Sequence, residues 1–263
     1  MQKEEEKFRS SDILEGMSSI SALLHAMEGS CPANDRRILK ILIDENRRDA
    51  KRREIGYLMA KSKEHGFSVT FVREEEIALL ATGGTHGGIL AVCTPRTLPT
   101  LTVDVIRPTG VYYCLEGVED PYNFGYAVRS LYAAGADGIV LPPRNWMGAA
   151  GVVARSSAGT SELAELYVST PAETIRLFRQ RGYRVLCAGI RNSVSLFEVD
   201  LHAPLLVIIG GEKRGISNML LQSADEVVRI DYGAPFGGSL STAAASAVFA
   251  FEILRQNPKT TKI

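Results

Sequence analysis

Apolar positions along the chain follow two alternating periods. Between residues 11 and 28, Ile13, Leu14, Met17, Ile20, Leu23, Leu24 and Met27 recur every three or four positions, the spacing of one helix face, with Gly16 as the point of a break. Short continuous apolar runs at 38–43, 67–72 and 89–93 read as strands, and helical spacing returns at 49–65 and 74–80. The first nine residues, mostly charged, read as a frayed end. This alternation predicts a small α/β layer in residues 1–97.

The run TPRTLPTLTVDVIRP, at 94–108, carries three prolines and interrupts the pattern, so residues 98–108 are expected to be a linker. Beyond it, strands are predicted at 110–115, 138–141, 183–188, 205–209 and 227–230. Helices are expected at 126–134, after Pro171, and at 242–256. Strands separated by helices call for a mostly parallel sheet in a second domain, 109–263.

Composition narrows the class without naming it. A chain of 263 residues with 45% apolar content can bury a sizeable core. Lys plus Arg equals Asp plus Glu at 30 each, so any surface for a polyanion must be local. One such excess exists: residues 36–53 hold eight basic side chains, among them Arg36, Arg37, Arg47, Arg48, Arg52 and Arg53, against three acidic ones. No aromatic residue interleaves there for base stacking, so a solvated helix face remains an alternative. Cys31, Cys93, Cys114 and Cys187 stand far apart, without a paired motif, and read as reduced core residues. The four histidines lack metal-ligand spacing, and no metal is expected. No apolar run reaches about 18 residues and the start is charged, so neither a membrane span nor a signal peptide is expected, and the cytoplasm is the default.

Chemistry concentrates at loop positions of the second half. The stretch LLVIIGGEKRGIS, 205–217, is an apolar strand ending at Gly210 and Gly211, followed at once by Glu212. It lacks the Gly-Lys-Ser/Thr ending of a phosphate loop, and no GxGxxG follows a strand. The run GGSLS, 237–241, lacks the final glycine of a nucleophile elbow and has no histidine downstream to activate Ser239. Asn123 and Arg129, in NFGYAVRSLYAAGADGIVL, read alone as a helix cap and a solvated arginine. Ser239 or Ser241 alone reads as a cap of the last helix.

In this order the three segments resemble the signature of the SpoU, or TrmH-like, branch of the SPOUT RNA 2'-O-ribose methyltransferases. Asn123, Gly125, Arg129, Gly135 and Ala136 match its first motif; Gly210, Glu212 and Gly215 its second; Ser239 and Leu240 its third, with Ile230 at the apolar position before it. The first half is similar to the family's optional substrate domain, itself like kink-turn-binding ribosomal proteins. The resemblance implies a C-terminal α/β domain with a deep trefoil knot, preceded by a small α/β RNA-binding domain. It implies S-adenosyl-L-methionine held by Gly210, Gly211, Ile230 and Leu240, with Gly189 at another strand end as a further candidate. Arg129 would orient the phosphate and the 2'-hydroxyl, Asn123 and Glu212 would fix Arg129 and the loop amides, and Ser239 would hydrogen-bond in the same pocket. Ser241 stands where the family has asparagine. Homodimers and large-subunit rRNA are implied partners. A tRNA substrate, or an RNA-binding assembly protein that has lost activity, stays open.

Overall fold

The computed structural model describes residues 12–143 and 146–258, so the frayed start expected at 1–9 lies outside the described residues. The chain forms two compact units, 1–97 with 145–163, and 98–144 with 164–263.

The first unit opens with β1 (Ile13–Glu15), α1 (Gly16–His25), β2 (Ile38–Asp44), α2 (Arg52–His65), β3 (Ser68–Val72), α3 (Glu74–Leu80) and β4 (Ile89–Cys93). Residues 13–15 are a strand and not the start of the expected helix. Ile13 and Leu14 are buried where β1 pairs antiparallel with β4, and Gly16, at φ +75°, turns the chain into α1. The sheet runs β1-β4-β2-β3, with β2 and β3 parallel and the other pairs antiparallel.

The second unit carries β5 (Val111–Glu116), α4 (Pro121–Ala133) and β6 (Gly138–Leu141). Next come α5 (Ala150–Ser156) and α6 (Thr160–Leu163), which belong to the first unit; Ala154 and Leu163 pack into that unit's core with Leu23, Leu24 and Ile41. This departs from the expected boundary, and the cause is a buried polar cluster. Glu162 receives Asn34 Nδ2 at 2.9 Å and faces Arg36 Nη1 at 3.4 Å and Arg96 Nη1 at 4.0 Å, and all four residues are buried. A buried carboxylate needs such partners, which fixes the segment in place.

The chain returns to the second unit with β7 (Leu166–Val168), α7 (Pro171–Gln180), β8 (Arg184–Ala188), β9 (Val194–Ser195), β10 (Leu205–Gly210), α8 (Asn218–Ser223), β11 (Glu226–Arg229) and α9 (Thr242–Gln256). Its seven strands run β7-β6-β5-β10-β8-β11-β9, every pair parallel. Central β10 is flanked on both edges and buried from Leu205 to Ile209, as its unbroken apolar run requires. Residues 98–108 are not a free linker. Leu101 and Ile106 are buried in the core of the second unit, and Leu101 N donates to Val168 O at 2.9 Å.

All four cysteines are free and buried. Burial pushes the thiols of Cys114 and Cys187 up to about 12, so neither is a nucleophile at neutral pH. Among the described residues no helix is long and apolar enough to cross a membrane.

Candidate functional site

Strands β5, β6 and β7 step outward on one side of the sheet, β8, β11 and β9 on the other, and β10 closes the centre. At such a reversal the carboxyl ends of the strands open a crevice. Here it is a cavity of about 310 Å³, at the lower end of the roughly 300–1,000 Å³ typical for small ligands. Its walls are apolar, formed by residues such as Ile209, Ile216, Val227 and Phe249, and its polar features are backbone at the strand ends and a few side chains at the rim.

The glycines of β10 make this corner possible. A Cβ on Gly211 would sit 2.0 Å from Gly117 O, and one on Gly210 would sit 2.5 Å from the Gly215 carbonyl carbon. Both therefore let backbone pack on backbone, and Gly215 N donates to Gly211 O at 3.0 Å to close the loop. Glu212, at the loop, accepts from Thr242 N at 3.0 Å, while Thr242 Oγ1 donates to Gly210 O at 2.9 Å. The second and third sequence motifs are thus joined directly. Gly189, Gly210, Gly211, Glu212, Ile230, Ser239 and Leu240, all singled out in the sequence, line this one cavity.

Three other candidates are placed differently. Ser241 does not line the cavity; it is the N-cap of α9, its Oγ accepting from Ala244 N at 3.2 Å. Asn123 does not cap α4. Asp120 does, accepting from Tyr122 N at 3.1 Å ahead of Pro121 at the first helical position. Asn123 instead lines an adjoining depression with Gly117, Asp120, Glu212 and Lys213. Arg129 lies about two turns along α4, exposed, and makes no hydrogen bond or ion pair among the described residues.

The structure adds residues that the motifs did not supply. Tyr232 lines the cavity, its hydroxyl accepting from Leu240 N at 3.3 Å and its ring edge-on to Phe236 at 5.4 Å. Its signal was present in the sequence: an aromatic side chain two residues after Ile230. Asp231 accepts from Ser195 Oγ and from Arg229 Nε at 2.7 Å, which anchors the loop that follows. Glu116, at the end of β5, accepts from Ser217 N at 3.3 Å, and burial raises its carboxyl above the ordinary range. Thr242 contributes through its amide and hydroxyl, for which no sequence signal existed.

In the first unit, Arg37, Arg47, Arg48, Arg52 and Arg53 are exposed. Arg36 is a correction: at 1% exposure it faces Glu162 inside the core and offers nothing to a surface ligand. The guanidinium of Arg48 lies 4.1 Å from the centroid of the Phe71 ring, an aromatic partner the local sequence did not show. The fold also brings His65 near Glu28 and Glu64, a group with the spacing of cation ligands. Lys61 Nζ, at 2.8 Å from Glu28 and 2.6 Å from Glu64, supplies the positive charge there.

Fold and cavity define an α/β protein whose small-molecule site lies at the carboxyl ends of a wholly parallel sheet. It is built from glycine turns and apolar walls without a phosphate loop. The chain matches the SpoU rRNA Methylase family over residues 110–251 and the family of RNA 2'-O ribose methyltransferase substrate-binding domains over 13–99. It belongs to the SpoU rRNA Methylase family. Two relatives are each named 23S rRNA (guanosine-2'-O-)-methyltransferase RlmB. That of a Burkholderia species is 30% identical over 257 residues, 94% of this chain and 97% of its own length. That of Shewanella oneidensis is 28% identical over 241 residues, 89% and 95% respectively. A solved AdoMet-bound rRNA methyltransferase from Sinorhizobium meliloti has the same fold, with a TM-score of 0.74 at 22% identity, covering 92% of this chain and 86% of that one.

Proposed function

We propose that this protein transfers a methyl group from S-adenosyl-L-methionine to a ribose 2'-hydroxyl of ribosomal RNA. The observation that carries this reading is the convergence of the second and third motifs on one cavity, joined by the bonds of Glu212 and Thr242. The relatives named for 23S rRNA, matched over most of their length, favour rRNA over tRNA.

The cavity suits the methyl donor in size, in apolar walls for a nucleoside, and in the absence of a phosphate loop. Gly189 supports the fit, because a Cβ there would sit 2.8 Å from Val227 Cγ1 and narrow the wall. Gly210, Gly211, Ile230 and Leu240 would hold the donor, largely through backbone groups. Once bound, S-adenosylmethionine supplies an electrophilic methyl group, so no metal is needed for the displacement.

The remaining work falls to placement and to the hydroxyl proton. Glu212 holds the start of α9 against the end of β10 and so keeps the cavity rim in register. Asn123, in the adjoining depression beside Glu212, stands where the acceptor ribose would approach. Arg129 would orient the phosphate and stabilise the developing alkoxide by charge; a guanidinium is too weak an acid to serve as a base at neutral pH. Ser239 would hydrogen-bond at the rim. Ser241 caps α9, a role asparagine fills about equally well, so its departure from the family pattern leaves the helix start intact and supports an active enzyme.

We further propose that the second unit is knotted and pairs as a homodimer in the cytoplasm. The face of α4 exposes Tyr122, Tyr126 and Tyr132 together with Arg129, and Phe251 is exposed on α9, which packs along α4. A second copy would cover this face and give Arg129 a site to serve. The test is incubation with labelled S-adenosylmethionine and purified 23S rRNA. Label recovered as 2'-O-methylnucleotide is expected, and R129A should reduce the rate by roughly 10²-fold. Absence of ribose methylation with rRNA substrates would sink the proposal.

A further inference from the structure

Among the described residues, three charged side chains line the cavity of the second unit: Arg191, Glu212 and Arg229. Two of them are already engaged. Glu212 accepts from Thr242 N at 3.0 Å, and Arg229 donates through Nε to Asp231 at 2.7 Å and through Nη1 to Ser193 O. Arg191 stands exposed at the rim, and its guanidinium makes no hydrogen bond or ion pair among the described residues.

The backbone puts Arg191 there for a local reason. β8 ends at Ala188, and Gly189 N donates to Val228 O at 2.9 Å, so the chain leaves the sheet beside the cavity. It then turns at once. Ser193 Oγ donates to Ile190 O at 2.7 Å, and Asn192 adopts φ +49°, a conformation that asparagine enters more readily than most residues. Arg229, at the end of the neighbouring β11, closes the turn through Ser193 O. One arginine builds the turn and the other is presented by it.

The methyl donor makes a demand that the rest of the lining does not meet. Its adenosine suits apolar walls and strand-end backbone, but its amino-acid end carries an α-carboxylate that is ionised at neutral pH. A carboxylate set against apolar walls costs free energy unless a donor pairs with it. A guanidinium offers two parallel N–H donors to the two carboxylate oxygens. We infer that Arg191 receives the α-carboxylate of S-adenosylmethionine and so selects for the intact amino-acid end of the donor. The inference rests on the methyl-transfer reading above and adds to it a residue outside the three sequence motifs.

The test is calorimetric titration of the full chain and its R191A, R191K and R229A variants. The two ligands are S-adenosylmethionine and its decarboxylated analogue, which keeps the sulfonium and the ammonium and carries hydrogen in place of the carboxylate. The native chain should prefer S-adenosylmethionine by roughly tenfold, the scale of one charge-assisted hydrogen bond. R191A should lose that preference while binding the analogue as tightly as the native chain does. R191K should keep part of it, since an ammonium supplies the charge without the paired geometry. R229A should weaken both ligands alike, through the turn. Equal weakening of both ligands in R191A, the mark of a merely structural role, would overturn the inference, as would a preference that survives in R191A or disappears only in R229A. A native chain that binds neither ligand would defeat the methyl-transfer reading as well; binding of both without dependence on Arg191 would defeat this inference alone.

Discussion

The cavity of the second unit and the basic face of the first are built from opposite materials. The cavity is made by backbone: glycines at 210 and 211 permit contacts that no side chain would tolerate, and Glu212 acts by holding an amide. The basic face is made by exposed long side chains, Arg37, Arg47, Arg48, Arg52 and Arg53, which would meet a polyanion through charge and need only approximate positions. A site of the first kind fails on one added methyl group, whereas a site of the second kind degrades in small steps.

Arg36 tests the contrast most severely, because it belongs to the basic run in sequence and to the core in space. R36A should cost about 3–5 kcal/mol in urea unfolding, since it strips a buried partner from Glu162. A loss below 1 kcal/mol, the size expected for an exposed arginine, would return Arg36 to the surface group. Next, G211A should cost about 1–3 kcal/mol and abolish S-adenosylmethionine binding by calorimetry, because the new methyl meets Gly117 O. Wild-type cofactor affinity in G211A would break the claim that backbone packing shapes the cavity.

Glu15 gives a pH-dependent case in the first unit. Burial alone would raise its carboxyl, but hydrogen bonds from Thr82 and Arg155 outweigh this and hold it below the ordinary value of 4.5. A depressed folded value means that ionised Glu15 stabilises the fold fully above about pH 4.5, and that this contribution fades as pH falls through the folded value. The stability gap between the native chain and E15Q should therefore be widest near neutrality and narrow in acid, read by thermal unfolding at several pH values. A gap that widens in acid would reverse the assignment. The smallest effect belongs to R48A. It should cost about 0.5–1 kcal/mol through loss of the Phe71 ring contact, while lowering the salt dependence of RNA binding slightly.

Much of the second unit could be read from sequence because its strands are buried on both sides. The run at 205–209 announces β10, and the small-residue helix at 242–256 has the bounds of α9. The short elements were not legible. α5 and α6 lie in a stretch rich in glycine, alanine and serine, where neither period stands out, and their place in the first unit depends on Glu162 meeting residues more than 60 positions away. β1 was read as helix because Ile13, Leu14 and Met17 satisfy helical spacing, while the edge of β4 that claims Ile13 and Leu14 lies far along the chain. Of the site, the lining glycines, Glu212 and Leu240 were legible through motif order. The bridge from Glu212 to Thr242 was not, because a backbone amide leaves no trace in residue type.

Residues 146–163 make a difference to how this protein can be divided. The match to the methylase family runs through them, yet Ala154 and Glu162 are buried inside the first unit and Leu163 packs against its core. A gene fragment ending at residue 97 would leave Arg36 and Arg96 buried without the carboxylate that faces both. The first unit therefore takes its interior from two separate stretches of the chain. A graft of the first half onto another methyltransferase should therefore carry a substitute for Glu162, or surrender those two arginines.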